Sequence, residues 1–271
     1  MVATAKGTGV SRLPVAPNRE LGQHFLVDEN ILGVIGRMAE LGSGDVVLEV
    51  GPGLGVLTAF LADRVALVHA VELDRGLEPY LRERLGVRAN VRLVFGDALA
   101  FPLGGLDPPP AKLVANLPYS IATPLVAETL AGLPTVELWC VMVQREVADR
   151  FFAAPGSKSY GAVSVLVQLT ADRCGLHPVA RSCFRPPPNV DSALVAFRRS
   201  RSWGDGFADL RELVQAAFAH RRKTLANSLD LTGYADRGRA VEALARIGRP
   251  ANVRAEALAP QEFPRLAEAL A

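Results

Sequence analysis

The sequence predicts an α/β protein, with a doubly wound parallel sheet in residues 1–200 and a small all-helical domain in residues 201–271. Three observations lead to this prediction. Short apolar runs rich in β-branched residues alternate with helix-like stretches over the first half of the chain. A polar, glycine-containing segment follows at residues 200–206, and four short amphipathic patterns fill the remainder. Such alternation is typical of parallel strands connected by helices, and the change of pattern indicates a domain boundary near residue 200.

Five short apolar runs predict the parallel strands. Each is bounded by Gly, Pro or a polar residue, as strands buried on both faces usually are. They occupy residues 45–50, 65–71, 91–95, 111–115 and 136–143. The stretches between them predict helices at residues 55–63, 75–85 and 121–131. One more helix is expected before the first strand, since Asp28 supplies an N-cap and apolar residues follow it at helical spacing.

The pattern changes after residue 158. Residues 160–171 and 190–197 predict two further strands. Residues 184–189 between them predict a rigid loop, because three consecutive prolines hold the backbone extended and exclude a helix. The C-terminal helices are expected at residues 207–218, 223–229, 239–247 and 261–270. Residues 1–18 are expected to be flexible.

Composition excludes several classes of protein. With 49% hydrophobic and 21% charged residues, the 271-residue chain is not disordered in bulk. No run approaches the ~18 apolar residues that a membrane span needs. The N-terminus lacks the apolar core of a signal peptide, which predicts a cytoplasmic protein without a membrane partner. Three cysteines without a CxxC pair and four scattered histidines argue against a metal site.

The charged residues are unevenly distributed along the chain. Residues 1–180 hold 15 basic and 18 acidic side chains, whereas residues 181–271 hold 15 basic and 10 acidic ones. A basic excess in the C-terminal part indicates an anionic partner. On charge alone, however, a solvated helical surface is the better explanation.

A glycine-rich turn follows the first predicted strand. In Gly51-Pro-Gly-Leu-Gly55 the glycines let the backbone approach a ligand closely. Such turns bind NAD, FAD or S-adenosylmethionine, and the GxGxG spacing differs from the dinucleotide pattern GxGxxG. Glu72, at the end of the second strand, can accept hydrogen bonds from both ribose hydroxyls, and Asp97, after the third, can accept one from an adenine amine. The alternatives are a tight turn without a ligand for the glycines and a turn or N-cap role for Asp97.

The segment Asn116-Leu-Pro-Tyr119 follows the fourth predicted strand directly, where open α/β sheets bind ligands. An amide oxygen and a backbone carbonyl next to a proline can accept both N–H protons of an exocyclic amine. Pro118 stiffens this backbone, and Tyr119 offers a ring face on which a base can stack. The segment therefore predicts a site for a flipped-out adenine whose N6 points at a donor group.

Five segments together resemble the KsgA-type rRNA adenine N6,N6-dimethyltransferase family, in order from about residue 19 to the C-terminus. They are residues 21–26 (LGQHFL), 49–55 (EVGPGLG), 116–120 (NLPYS), 184–194 (FRPPPNVDSAL) and 219–229 (AHRRKTLANSL). The resemblance implies a Rossmann-like S-adenosylmethionine-dependent methyltransferase sheet and a small helical domain that contacts rRNA. It implies transfer of four methyl groups to two adjacent adenines near the 3′ end of small-subunit rRNA, during maturation of the 30S pre-ribosomal subunit. A monomer is expected.

The resemblance also implies a role for each cofactor residue. The implied site for S-adenosylmethionine consists of His24, Leu26, Gly51, Gly53, Glu72, Asp97 and Asn116. Within it, Gly51 would approach the methionine part, Glu72 the ribose and Asp97 the adenine ring. Asn116 would contact both the cofactor and the target base.

The same resemblance assigns the residues that hold the RNA. Tyr119 would stack on the target adenine, and Phe184 would close the pocket from the other side. The backbone of Leu117 and Pro118 would hold N6. Contact with rRNA phosphates is implied for the basic run that opens the helix predicted at residues 223–229, Arg221, Arg222 and Lys223. A solvated helix end is the alternative for this run.

Three other functions compete with this prediction. Macrolide-resistance methyltransferases, which act on large-subunit rRNA, share the glycine turn and the Asn-x-Pro-Tyr segment, but residues 184–194 and 219–229 favour the KsgA type. A ribosome-assembly factor with vestigial catalysis is disfavoured by the intact Glu72, Asp97 and Asn116. An NAD dehydrogenase would need a partner residue for hydride transfer, and the sequence offers none.

Overall fold

The computed structural model describes residues 13–18, 21–204 and 206–271. Its strands within these residues are β1 (Phe25–Leu26), β2 (Val46–Val50), β3 (Leu67–Glu72), β4 (Val91–Phe95), β5 (Lys112–Asn116), β6 (Leu138–Gln144), β7 (Ala171–Val179), β8 (Phe184–Arg185) and β9 (Ser192–Arg199). Its α-helices are α1 (Glu29–Met38), α2 (Val56–Ala62), α3 (Glu78–Leu85), α4 (Ala122–Gly132), α5 (Arg145–Phe151), α6 (Ala162–Thr170), α7 (Gly206–Ala219), α8 (Leu225–Leu231), α9 (Arg237–Arg246) and α10 (Glu262–Leu270). The predicted α/β class is confirmed.

Seven strands form one sheet in the order β4-β3-β2-β5-β6-β9-β7. The first five are parallel, and all five were predicted from the apolar runs. The chain leaves β2 toward β3 on one side and later returns to β5 on the other side of β2. Open α/β sheets bind ligands at such a switch point, outside the carboxyl ends of the strands. This order therefore brings the turn after β2 and the segment after β5 together.

The far end of the sheet is antiparallel. Strand β9 pairs antiparallel with both β6 and β7, so that Ser192 lies opposite Gln144 on one side and Val179 on the other. Strand β8, at the start of the predicted rigid loop, pairs with β1 in a separate two-stranded sheet, with Leu26 opposite Phe184. This pairing fixes the N-terminal segment over the switch point.

Residues 160–171 differ from the prediction. They were expected to form a strand, but residues 162–170 are helix α6, and β7 begins only at Ala171. Helix α6 packs against α4, α5 and α7, and seven of its nine residues are buried. A helix buried on nearly all sides shows no helical period, and β-branched residues then favour the wrong assignment. Ser164 stabilises its first turn, because the hydroxyl accepts from the Gly161 N–H at 3.1 Å and donates to the Arg150 carbonyl.

The C-terminal helices share an apolar core with the rest of the chain. Tyr160 contacts Phe218 of α7 edge to face at 5.8 Å, and Phe218 stacks on Phe263 of α10 at 5.9 Å. The Tyr160 hydroxyl also donates to the Leu258 carbonyl at 2.9 Å. All four predicted helices are present. The domain boundary near residue 200 stays a prediction.

The predicted flexible segment, residues 1–18, lies mostly outside the described residues, which begin at Leu13. Leu13 and Val15 pack, partly buried, against an apolar cluster that includes Phe25 and Leu54.

Among the described ranges, no helix combines the length and apolar character required to cross a membrane. The same ranges hold no group of three or more His, Cys, Asp or Glu side chains arranged to bind a metal ion.

Candidate active site

A cavity of about 160 Å³ lies at the carboxyl ends of β2, β3 and β5. Its lining includes every residue predicted for the cofactor site, namely His24, Leu26, Gly51, Gly53, Glu72, Asp97 and Asn116. It also includes Leu117, Pro118 and Tyr119, predicted to hold the target base. The topology thus brings together around one cavity residues as far apart in sequence as His24 and Tyr119.

The glycine turn has a backbone that only glycine adopts readily. Gly51 and Gly53 have φ angles of 74° and 57°, in the left-handed region. A Cβ atom on Gly53 would lie 3.0 Å from the Phe25 ring, and one on Gly51 would lie 3.2 Å from Pro118. The turn therefore packs closely against both the segment after β5 and the N-terminal segment, without side chains to block the backbone.

Glu72 is held in place by this turn. One carboxylate oxygen accepts from the Gly53 N–H at 3.0 Å, and the other accepts from the Asp74 N–H at 2.9 Å. Burial raises the pKa of Glu72, and the two backbone hydrogen bonds oppose that rise. Each oxygen keeps acceptor capacity, so the carboxylate is oriented before a pair of hydroxyls binds.

Glu49 is a site residue that the sequence analysis missed. It lies on β2 and lines the cavity, with 1% of its surface exposed. Within the described residues, one of its carboxyl oxygens has no hydrogen-bond partner. Burial raises the pKa of Glu49 to about 8, and the neighbouring Glu72 charge contributes to the rise. The available signal was a carboxylate in the otherwise apolar run VVLEV, two residues before the first glycine.

The segment after β5 presents two hydrogen-bond acceptors. The Asn116 side-chain N–H donates to the His24 carbonyl at 3.1 Å, which leaves the amide oxygen of Asn116 available as an acceptor. The Pro118 carbonyl is occupied by the Ile121 N–H at 3.1 Å. By contrast, no hydrogen bond from the described residues reaches the Leu117 carbonyl. The Asn116 amide oxygen and the Leu117 carbonyl oxygen, on the two residues before Pro118, can accept the two protons of an exocyclic amine.

Tyr119 is fixed from two sides. Its hydroxyl lies 2.7 Å from the Ser192 hydroxyl, and its ring lies 5.7 Å from the His24 ring at an interplanar angle of 32°. The His24 Nδ1 in turn donates to the Pro186 carbonyl at 2.8 Å. Burial raises the pKa of Tyr119, so the hydroxyl stays protonated at neutral pH.

Comparison with known proteins agrees with this geometry. The family model for ribosomal RNA adenine dimethylase matches residues 16–271. The chain belongs to this family. A ribosomal RNA small subunit methyltransferase A from Rubrobacter xylanophilus is 49% identical over 92% of this chain and 94% of its own length. The protein of the same name from Streptomyces coelicolor is 43% identical over 94% and 92%.

Two solved structures resemble most of this chain. A dimethyladenosine transferase from Plasmodium falciparum has a TM-score of 0.72 and 25% identity, covering 90% of this chain and 96% of its own. The 23S rRNA methyltransferase ErmE has a TM-score of 0.63 and 29% identity, covering 91% and 99%. The chain thus shares its fold with a dimethyladenosine transferase and with a 23S rRNA methyltransferase.

The surroundings of Phe184 and Asp97 bear on the roles predicted for these two residues. Phe184 was expected to close the base pocket, but it does not line the cavity. Its side chain is 1% exposed and packs in the apolar cluster around Leu26, so it supports β1 from behind. Asp97 does line the cavity, and its carboxylate also accepts from the Leu99 N–H at 2.9 Å. The turn role and the cofactor role of Asp97 are therefore compatible.

The basic run lies in the turn between α7 and α8, and the helix that was predicted to begin at Lys223 begins at Leu225. Arg221 already has three acceptors: the carbonyls of Lys158 and Tyr160 at 3.1 and 3.0 Å, and the Glu256 carboxylate at 3.4 Å. Arg222 and Lys223 are exposed, and their side chains have no partner among the described residues. The three predicted RNA contacts thus have different environments.

Proposed function

We propose that this chain transfers methyl groups from S-adenosylmethionine to N6 of two adjacent adenines in the 3′-terminal hairpin loop of small-subunit (16S) rRNA. The product is N6,N6-dimethyladenosine, formed during maturation of the small subunit in the cytoplasm. One observation carries the proposal: the free acceptors of Asn116 and Leu117 lie on the same cavity as the glycine turn and Glu72. Family membership and the names of the relatives support the reaction and the choice of subunit.

The cavity fits S-adenosylmethionine on features of its own residues. Glu72 is fixed as an acceptor for the ribose hydroxyls, and Gly51 and Gly53 keep the wall beside it free of side chains. The unpartnered, buried oxygen of Glu49 suits a cationic ligand. Leu73, half-exposed at the rim next to Glu72, can pack against the face of an adenine. Asp97 can accept a hydrogen bond from the adenine amine. When bound, this cofactor supplies an electrophilic methyl group on a sulfonium.

The residues after β5 prepare the nucleophile. The lone pair of adenine N6 is delocalised into the ring, so a free adenine amine is a weak nucleophile. Acceptance of its two N–H protons by the Asn116 amide oxygen and the Leu117 carbonyl favours a pyramidal nitrogen whose lone pair points away from them. Tyr119 holds the base by stacking. Positioning of this kind can lower a barrier by several kcal/mol without an acid–base group.

We further propose that residues 201–271 form a domain that contacts the rRNA, and that a monomer acts on the 30S pre-ribosomal subunit. The exposed and unpartnered Arg222 and Lys223 are the phosphate contacts in this proposal, with Arg221 contributing less because its guanidinium is engaged. Since the target is a base in structured RNA, shape recognition and base flipping are the expected mode.

A methyl-transfer assay on undermethylated small subunits tests this function. Asn116→Ala is expected to lower the transfer rate at least ~100-fold with subunit binding nearly unchanged, because the change removes positioning and not phosphate contacts. Asn90→Ala is the matched control, since Asn90 also donates its amide to backbone carbonyls but lies away from the cavity. If Asn116→Ala loses both methyl transfer and subunit binding, the variant is misfolded. If the wild-type chain binds the subunit but transfers no methyl group, the chain is an assembly factor and the proposal is wrong.

Mass mapping of rRNA from a deletion strain, with and without the chain restored, tests the substrate. We expect two adjacent dimethyladenines in the small subunit to depend on the chain. The likeness to ErmE makes large-subunit rRNA the one alternative substrate with a structural observation in its favour. Chain-dependent methylation of the large subunit alone would contradict the proposed substrate.

A further inference from the structure

Ser192 lies in the interior of the sheet directly behind Tyr119. It is the first residue of β9 and pairs with Gln144 of β6 and Val179 of β7, so its backbone is fixed on both sides. Its exposed fraction is 1%, and the five residues that follow it are buried and apolar. A hydroxyl at such a position lowers stability unless it has a partner.

The partner of this hydroxyl belongs to the candidate active site. Within the described residues, the only hydrogen bond of the Ser192 side chain is to the Tyr119 hydroxyl, at 2.7 Å. Tyr119, by contrast with Ser192, is only partly buried and lines the cavity. The bond therefore ties a ring of the candidate active site to a fixed position on β9.

The constraint fixes the plane of the ring. The backbone of Tyr119 is held by the turn in which the Ile121 N–H donates to Pro118, and the ring packs against His24. With the hydroxyl bonded to Ser192 on β9, rotation of the ring about its Cα–Cβ bond, or a tilt away from the cavity, would break this hydrogen bond. A base that stacks on this ring is thereby placed relative to the acceptors of Asn116 and Leu117.

We propose that Ser192 is a positioning residue for methyl transfer, which sets the orientation of Tyr119 and through it that of the target adenine. The inference rests on the proposed function and deepens it.

The importance of Ser192 differs between the first and the second methyl transfer to one nitrogen. An unmodified adenine has two N6–H protons for the two acceptors, whereas the monomethylated base has one. Stacking on an oriented Tyr119 is then the main remaining constraint, so loss of Ser192 impairs the second transfer more than the first.

The ratio of monomethyladenosine to dimethyladenosine tests this inference. We expect Ser192→Ala to raise the ratio about fivefold at equal total methyl transfer, the effect of one lost hydrogen bond. Tyr119→Phe removes the same bond from the other side and should raise the ratio equally. The double variant should match either single one, because both changes remove one interaction. Affinity for S-adenosylmethionine, measured by calorimetry, should not change.

A matched control separates positioning from stability. Ser164→Ala also removes a fully buried serine hydroxyl with backbone partners, but on α6 and away from the cavity. It should lower the melting temperature and leave the product ratio at the wild-type value. The inference is overturned if Ser192→Ala and Tyr119→Phe keep the wild-type ratio, or if their effects add in the double variant. Absence of any methyl transfer by the wild-type chain would instead overturn the proposed function, and this inference with it.

Discussion

Replacement of Glu49 by Gln tests the electrostatics of the cavity. The carboxyl of Glu49 is buried on β2, lacks one hydrogen-bond partner within the described residues, and lies near the charge of Glu72. These surroundings favour the neutral form and raise its pKa to about 8, from 4.5 in an unperturbed carboxyl. Gln has nearly the same shape as the protonated carboxyl and does not titrate, so the substitution isolates the cost of ionising this group.

The direction and size of the effect follow from linkage. Between pH 4.5 and pH 8 the folded chain binds a proton at Glu49 that the unfolded chain has released, so its stability falls as the pH rises. With these two pKa values, the free energy of unfolding falls by roughly 2–3 kcal/mol between pH 5 and pH 7. Glu49→Gln lacks this contribution. As the pH rises from 5 to 7, the stability of Glu49→Gln relative to the wild type should therefore increase by about the same amount.

Urea unfolding at pH 5, 6 and 7 without cofactor measures the difference between the two proteins. Glu83→Gln, the same change at an exposed position of α3, controls for the general loss of a carboxylate. The prediction concerns how the wild type and Glu49→Gln diverge, since other groups shift both curves together. If both lose free energy of unfolding in parallel from pH 5 to pH 7, Glu49 is not protonated in the folded chain and the reasoning is refuted.

Three further predictions concern ligand binding, RNA binding and stability. Binding of cationic S-adenosylmethionine at pH 7 should ionise Glu49 and release a proton, so that the calorimetric enthalpy depends on the ionisation enthalpy of the buffer; a buffer-independent enthalpy would contradict this. Arg222→Ala and Lys223→Ala should each reduce the slope of log K for rRNA binding against log salt concentration by about one unit. Arg221→Ala should change this slope less and should raise amide exchange in residues 154–160, because its guanidinium holds that loop. Equal slopes for all three variants would refute the distinction. Arg199→Ala should lower the free energy of unfolding by about 2–3 kcal/mol, because the guanidinium donates to three backbone carbonyls at the end of α4 and before β6. An unchanged urea midpoint would show that water replaces the guanidinium.

The parallel strands could be predicted because most of them are buried on both faces and are therefore mainly apolar in sequence. The edge strand β4 is only partly buried, but it is also short and rich in β-branched and aromatic residues. Helix α6 lacks a helical pattern in its sequence, since its neighbours cover nearly all of it and Val163, Val165 and Val167 then mimic a strand. The error arose from tertiary packing, which removes the polar face on which recognition of a helix depends.

The same distinction separates the site residues that sequence reasoning found from those that it missed. The glycine turn and Asn116–Tyr119 are each a continuous stretch of sequence, and the few residues of each stretch are enough to predict its chemistry. Ser192 acquires its importance only when β9 lies beside β6 and its hydroxyl meets Tyr119, 73 residues away. The role predicted for Phe184 stays a prediction, because its pairing with Leu26 decides which way the side chain faces and the sequence does not show that pairing.

The basic excess of residues 181–271 overstates the charge available to RNA. Many of its arginines are already engaged inside the protein: Arg199 and Arg239 donate to backbone carbonyls, and Arg249 forms a two-point ion pair with Glu262 at 2.6 Å. Such guanidiniums hold loops and helix ends, and releasing them to bind phosphate would leave buried or ionised partners uncompensated. Only exposed cations without partners contact phosphate at no such cost. Arg222 and Lys223 meet this condition, and so their environment, more than the charge count, supports the proposed contact between residues 201–271 and RNA.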